Sequence, residues 1–338
     1  MATIKDIAKI AGVSITTVSR ALNGYDDVSK ETKQKIKTIA DELDYSPNAV
    51  ARSLVSSKTN TIGVIFSELK YTGGKDTLAF DILIGINERA NEMNYDILLF
   101  STSPSKQRIK SYYNLCKERN VDGAIIFGLR VDDPYLEEVI QKSKFPCVLI
   151  DIPFSNEHLG NVTTDNIDGV RKAVQHLIDG GHTNIAMING YPAAHVSEQR
   201  LKGFKKALSD NGIAYDESKI WDGEFSEDGG EQVMQRILDE HPGVTAVFCS
   251  SDLMALGAMR ALEKRGRKVP DSVSVVGYDD IILSSYCVPK LTTIHQNKYD
   301  MGWAAAKLLI EMLEGKQIDH NVVLNNELIV RESTKKLR

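Results

Sequence analysis

Between Thr3 and Leu43 the apolar positions recur at helical spacing in three short runs. Ile4, Ile7, Ala8 and Ala11 fall on one face, and Gly12 interrupts them. Ser14 precedes a second stripe of Val18, Ala21 and Leu22, which Asn23-Gly24 ends. Ser29 precedes a third stripe, with Ile36, Ile39, Ala40 and Leu43 facing inward. Thr3 and Asp6 have the spacing of a capping box, with Asp where Glu is usual. The pattern therefore predicts three short helices. Pro47 then stands at a first-turn position and predicts a further helix over residues 48–54, too short to persist alone in water. A polar link, residues 56–60, follows it.

From Thr61 the period changes, and short apolar runs alternate with amphipathic segments. Strands are predicted at 62–66, 96–100, 123–127, 147–150, 185–188, 246–249 and 274–277. Helices are predicted at 79–93, 167–178, 198–211, 229–239, 253–265 and 299–314. Continuously apolar strands imply parallel sheets covered by helices on both faces. These strands are too many for one compact sheet. Two doubly wound α/β lobes are expected, with a ligand cleft at the strand C-termini.

Composition alters the picture in one respect. With 42% hydrophobic and 26% charged residues, the 338-residue chain is ordinary globular material for two or three domains. The net charge of −5 gives no overall nucleic-acid signal, but the first 60 residues hold nine Lys/Arg against seven Asp/Glu. A head of +2 on a body of −7 suits a protein that sets one end on phosphate. Cys116, Cys147, Cys249 and Cys287 are far apart in sequence and form no zinc or redox pattern, so they read as buried thiols in a reducing compartment. No apolar run is long enough to span a membrane, and MATIKDIAKI lacks the basic-then-apolar order of a secretory signal. A cytoplasmic location is expected.

A helix, a turn at Gly12 and a capped second helix make the helix-turn-helix plan. On the exposed start of the second helix, Arg20 can reach guanine O6 and N7, Thr16 a base edge, and Ile15 a thymine methyl. Ser14, Thr17 and Ser19 can hold phosphates. On the pattern alone, a small helical bundle with a polar face is the alternative.

The body shows no catalytic constellation: Ser103 and Lys106 match S-x-x-K without a following K-T-G. Its histidines lack metal-ligand spacing and read as surface, helix-end or loop residues, so neither a metal nor a cofactor is expected. Asp151, Arg200, Asp252, Asp279 and Gln296 fall at predicted strand or turn ends, as do Phe127 and Phe225. Carboxylates and a guanidinium can grip neighbouring hydroxyls, and aromatic faces cover the C–H edges of a sugar. Asp252 reads more readily as a helix cap, Asp280 as structural, and Phe127 equally well as core.

The segment 3–24 resembles the head of the lactose, galactose and purine repressor family. The likeness continues through SPNAVARSL (46–54), TTDNIDGVRKAVQHLIDGGHTNIAMING (163–190), SEQRLKGFKKAL (197–208), SSDLMALGAM (250–259), VSVVGYDD (273–280) and LTTIHQ (291–296). The resemblance implies lobes of periplasmic-binding-protein type. Asn23, at the end of the second helix, is also counted in the DNA-facing set. It also implies a hinge helix in the minor groove, with Leu54 as the wedge and Asn48, Ala51 and Arg52 around it. It implies effector contacts at Arg200 and Asp279, joined in several members by Asp151, Phe127 and Phe225. The chain departs from the family's pattern at residues 68–83, which are longer and different, and at Ser251, where Asn is common.

The expected division is a head over 1–46, a hinge and linker over 47–60, a first lobe of 61–162 plus 293–322, and a second lobe of 163–292 plus 323–338. The expected function is a sugar-responsive repressor acting as a homodimer on a pseudopalindromic operator. A purine corepressor or a phosphocarrier-linked catabolite signal are alternative inputs. A stand-alone sugar-binding protein would need a signal peptide and no reading head. A Rossmann-type enzyme would need G-x-G-x-x-G after residues 62–66, which is absent.

Overall fold

The computed structural model describes residues 2–22, 24–45, 58–67, 78–102, 110–142 and 144–337. The chain divides into two compact units, Met1–Thr59 and Asn60–Arg338.

The first unit holds α1 (Ile4–Ala11), α2 (Ile15–Leu22) and α3 (Lys30–Glu42). Ile7, Val18 and Ile36 are fully buried at its centre, ringed by Ala8, Ala11, Ala21, Val28, Ile39 and Ala40. Local chemistry sets each helix start. The Asp6 carboxylate accepts from the Thr3 backbone N–H at 2.9 Å and from the Thr3 hydroxyl at 2.7 Å, which lowers its pKa. Ser14 Oγ accepts from the Thr17 N–H at 3.0 Å, and Ser29 Oγ from the Thr32 N–H at 3.2 Å. Gly12 closes α1 at φ +70°, a left-handed conformation in which a side chain would be strained.

The second unit opens with β1 (Thr61–Ser67), α4 (Leu78–Glu92), β2 (Asp96–Thr102), α5 (Tyr112–Glu118), β3 (Gly123–Phe127), β4 (Cys147–Ile150) and β5 (Leu159–Thr164). It continues with α6 (Asn166–Asp179), β6 (Ile185–Asn189), α7 (His195–Asp210), β7 (Ile220–Asp222), α8 (Glu227–Glu240), β8 (Ala246–Cys249), α9 (Asp252–Lys264), β9 (Ser274–Asp279) and β10 (Thr292–Gln296). It ends with α10 (Lys298–Leu313), β11 (Asn321–Leu324) and β12 (Asn326–Ile329). The strands form two six-stranded sheets, β11-β5-β4-β3-β1-β2 and β12-β10-β9-β8-β6-β7. Every pairing is parallel except β10 with β12. The strand order reverses beside β1 in one sheet and beside β6 in the other, which are the switch points where doubly wound sheets open a crevice.

Each sheet is sandwiched between two apolar clusters. Ile62, Val64 and Val148 face α4 and α10 on one side of the first sheet, and Ile65, Ile126 and Leu149 face α5 on the other. Val247 and Val275 pack against α8 and α9 in the second, with Phe248 and Val276 turned toward α6 and α7.

The lobe boundaries differ from those expected. The expected break at 162/163 falls inside β5, which stays in the first sheet through Thr164. The break at 292/293 falls inside β10, which belongs wholly to the second sheet, so the return to the first lobe comes between Gln296 and α10. The break at 322/323 falls inside β11, and the last crossing lies between Leu324 and Asn326. The strands β5, β7, β10, β11 and β12 had no sequence expectation. Most are short or rich in Thr and Asn, and only pairing partners distant in sequence make them strands. Among the described residues, no helix is long and apolar enough to cross a membrane.

Candidate DNA-reading helix and effector cleft

On α2, Ile15 is 45% exposed despite its apolar side chain, and Thr16 is exposed beside it. Ser14 and Thr17 are tied together, with their hydroxyl oxygens 2.9 Å apart and Ser14 capping the helix. Ser19 is half-buried. The Arg20 guanidinium is ion-paired to Asp27, Nη2 to Oδ2 at 2.7 Å, and lies 5.1 Å from the centre of the Tyr25 ring. Asn23, the hinge residues Asn48, Ala51, Arg52 and Leu54, residues 68–77 of the atypical stretch, and Ser103 with Lys106 lie outside the described residues.

In the second unit the effector candidates converge at the C-terminal ends of both sheets. Phe127 ends β3, Asp151 follows β4, Asp279 ends β9 and Gln296 ends β10, while Arg200 projects from α7. Arg200 is buried. Its Nε donates to Asn166 Oδ1 at 2.9 Å and its Nη1 to the Ser250 carbonyl at 2.5 Å, and its Nη2 lies 4.0 Å from Asp279 Oδ1. The guanidinium also sits 3.9 Å from the centre of the buried Tyr278 ring. Gln296 Nε2 donates to Asp279 Oδ1 at 2.5 Å, and Thr164 Oγ1, at the end of β5, donates to Gln296 Oε1 at 3.0 Å.

Asp151 reaches the same region from the first lobe. Burial pushes its carboxyl pKa up, while the Thr163 hydroxyl at 2.7 Å and the nearby Arg200 charge oppose that shift. Asp151, Phe225 and Asp279 all have positive φ, at 62°, 52° and 114°. Left-handed backbone at three side-chain-bearing residues of one cleft is strain of the kind that gathers at binding sites. The Phe225 ring lies so close over Gly190 that any side chain there would collide with it, and it meets Tyr191 edge-on at 5.3 Å. Phe127 is half-buried and packs edge-on against Phe66 at 5.7 Å.

Two residues behave differently from the sequence reading. Ser251 is the cap of α9, its Oγ accepting from the Met254 N–H at 3.2 Å. Asp252, the residue read as the cap, is instead fully buried. It accepts from the Ile281 N–H at 2.9 Å and from the hydroxyls of Ser284 and Thr293 at 2.6 Å each. His182 lies in the loop between α6 and β6, one of the placements expected. It is fully buried between Thr245 Oγ1 and the Lys335 carbonyl, and burial lowers its pKa. Asp280 is structural, joining Arg331 at 2.6 Å and His295 at 3.0 Å. Asn166, Asn189, Ser250, Thr163 and Tyr278 had no sequence expectation at the site. Their one legible signal was position, since Thr163, Asn189, Ser250 and Tyr278 stand at or beside strand ends, as ligand-facing residues of open sheets do.

Residues 3–48 match the family described as bacterial regulatory proteins, lacI family, and residues 174–334 match a periplasmic binding protein-like domain. The chain is 36% identical over 340 residues to the HTH-type transcriptional repressor PurR of Histophilus somni (strain 129Pt), covering 100% of both chains. Its counterpart in Photobacterium profundum is 34% identical, again over 100% of both. Among solved structures, the lac repressor dimer bound to operator and the anti-inducer ONPF superposes with a TM-score of 0.84 at 30% identity, covering 99% of each chain. The CelR–cellobiose complex gives 0.76 at 34% identity, over 98% of this chain and 100% of that one. The chain therefore belongs to the lacI family of bacterial regulatory proteins, non-enzymatic DNA-binding transcription regulators whose small-molecule-binding body has the periplasmic-binding-protein fold.

Proposed function

We propose that this protein is a cytoplasmic repressor that binds a pseudopalindromic operator as a homodimer and that a neutral sugar held between its lobes sets its operator affinity. The observation that carries the ligand reading is the meeting of Asp151, Arg200, Asp279 and Gln296 at the strand ends of the two sheets. Two carboxylates and one guanidinium offer acceptors and donors for adjacent hydroxyls, while their excess negative charge disfavours a phosphate. Phe127, Phe225 and Tyr191 supply apolar faces for the C–H edges of a ring. Structures of relatives with bound cellobiose and with bound ribose support the same class.

On the DNA side, Arg20, Thr16 and Ile15 read bases, and Ser14, Thr17 and Ser19 hold phosphates. Asn23, next in sequence after that helix, joins them, and Leu54, with Asn48, Ala51 and Arg52, enters the minor groove.

A melting-temperature screen against neutral mono- and disaccharides, sugar phosphates and purines tests the ligand class. Stabilisation should come from a neutral sugar, about 2.7 kcal/mol at a hundred times its Kd. Calorimetry should then show binding lost in Arg200→Ala and Asp279→Ala, with ligand-free operator binding kept. Stabilisation by purines or sugar phosphates alone, or wild-type affinity in both variants, would overturn this assignment.

A further inference from the structure

Two acidic residues, Asp26 and Asp27, stand four and five positions beyond the end of the reading helix in a head that must approach phosphate. Negative charge there opposes binding unless it serves the contact in another way. The turn that carries them is firmly held. Gly24 takes φ +77°, a conformation suited to glycine, and its carbonyl accepts from Lys33 Nζ at 3.1 Å. The Tyr25 N–H donates back to the Arg20 carbonyl at 3.0 Å, and the Val28 side chain is buried in the core of the head. Lys33 also lies 3.9 Å from Asp26, which partly offsets one of the two charges. Asp27 is left facing Arg20, with the Tyr25 ring on the guanidinium's flank.

An exposed ion pair of this kind adds little stability. It can nonetheless fix direction. A guanidinium is a planar fork with five N–H donors. Asp27 engages it at Nη2, and guanine O6 and N7 need two parallel donors from one edge.

We propose that Asp27, assisted by Tyr25, is a specificity-determining positioning residue that holds the Arg20 fork in the orientation that reads guanine. The proposal rests on the reading of Arg20 as a base contact. A free arginine would have to lose its side-chain rotamer entropy on binding, whereas a buttressed one has already lost it. Asp27 thus lowers attraction to DNA in general and raises discrimination for one sequence.

These two consequences have opposite signs, so the test is direct. A duplex selected in vitro by the wild-type protein and a random duplex of equal length serve as probes at one salt concentration. Asp27→Ala should bind the selected duplex about tenfold more weakly and the random duplex equally well or more tightly. Asp27→Asn, which keeps an acceptor, should fall between. In an Arg20→Ala background, Asp27→Ala should no longer change the ratio of the two affinities. Melting temperatures of the variants confirm that the head is folded. Tighter binding to both duplexes would show that Asp27 is only a repulsive charge. An undiminished effect in the Arg20→Ala background would show that it acts through another group. An unchanged ratio in Arg20→Ala alone would instead sink the base-contact reading itself.

Discussion

Asp252 shows how much one side chain can depend on surroundings that its neighbours in sequence do not reveal. Its carboxyl is fully buried, braces three donors from the segments after β9 and within β10, and lies near the charge of Asp279. Desolvation first, and Asp279 second, push its pKa from 3.8 up to about 7. Because the folded pKa is the higher one, the stability this group contributes is complete below its unfolded value. It declines as pH rises toward the folded pKa, since the unfolded chain ionises freely while the folded one resists. Asp252→Asn carries no charge at any pH. The melting temperature of wild type minus that of Asp252→Asn should therefore fall between about pH 4 and about pH 7 and level off above. A difference independent of pH would mean that the three hydrogen bonds keep the carboxylate ionised in the folded state. The four residues Asp252, Asp279, Thr293 and Ser284 were each visible in the sequence, but their convergence was not.

At the scale of elements, the two lobes use one device for joining helices. α4 and α10 pack so closely that a Cβ on Gly85 would lie 2.1 Å from the Tyr299 carbonyl oxygen, and one on Gly302 2.0 Å from that of Ile82. α8 and α9 repeat the arrangement, with Gly230 against the Met254 carbonyl at 2.3 Å and Gly257 against that of Glu227 at 1.9 Å. Glycine inside a helix is intrinsically unfavourable, so these positions look like weak points when read locally. Contact between helix backbones explains them. Gly302→Ala and Gly257→Ala should each destabilise their lobe by roughly 1–3 kcal/mol or more, because the obstacle is backbone that cannot rotate away. Gly212, at φ +65° with nothing near its Cβ position, should cost only about 1 kcal/mol as Ala, from backbone strain alone. Denaturant unfolding of the three variants compares them. Equal losses would mean that the helices separate freely to admit a methyl group.

At the scale of the whole body, the lobes touch at the rim of the cleft as well as at its base. The Val131 N–H, after β3, donates to the Ala193 carbonyl, after β6, at 2.9 Å, and the Arg130 guanidinium lies 5.2 Å from the Tyr191 ring centre. Three chain crossings also join the lobes, after Thr164, after Gln296 and after Leu324. At the proposed site, a ligand bridging Asp151 to Arg200 and Asp279 would favour one closure of this arrangement over another, and such a difference would couple it to a second site. The coupling is reciprocal: operator must change sugar affinity by the same factor as sugar changes operator affinity, about 1–3 kcal/mol in size. Calorimetry of the sugar with and without the selected duplex measures one side, and duplex binding with and without sugar the other. Coupling absent from both titrations would rule out the cleft as the control site for DNA binding.

The sequence by itself determined the periods, and with them nearly all the helices of both units, the parallel strands 123–127, 147–150 and 246–249 without error, and the helix-turn-helix order of the head. Those features are local: spacing of apolar residues, caps such as Ser14 and Ser29, and the breaks at Gly12 and Gly24 act over one or two helical turns. It also placed Asp151 and Asp279 among the candidates, because they stand at the ends of strands that were legible, while Arg200 was marked by the family resemblance and Gln296 ends a strand that had no sequence expectation. The tertiary structure alone decided which sheet β5, β10, β11 and β12 would join. A strand's partner is chosen by hydrogen bonds to residues far away in sequence, and a short Thr- or Asn-rich segment carries no mark of that choice. It alone turned Asp252 from a supposed cap into a buried brace, put Asp27 against Arg20, and set glycine against backbone in both helix pairs. In each case the deciding term is desolvation, ion pairing or steric contact between groups that meet only after the chain has folded.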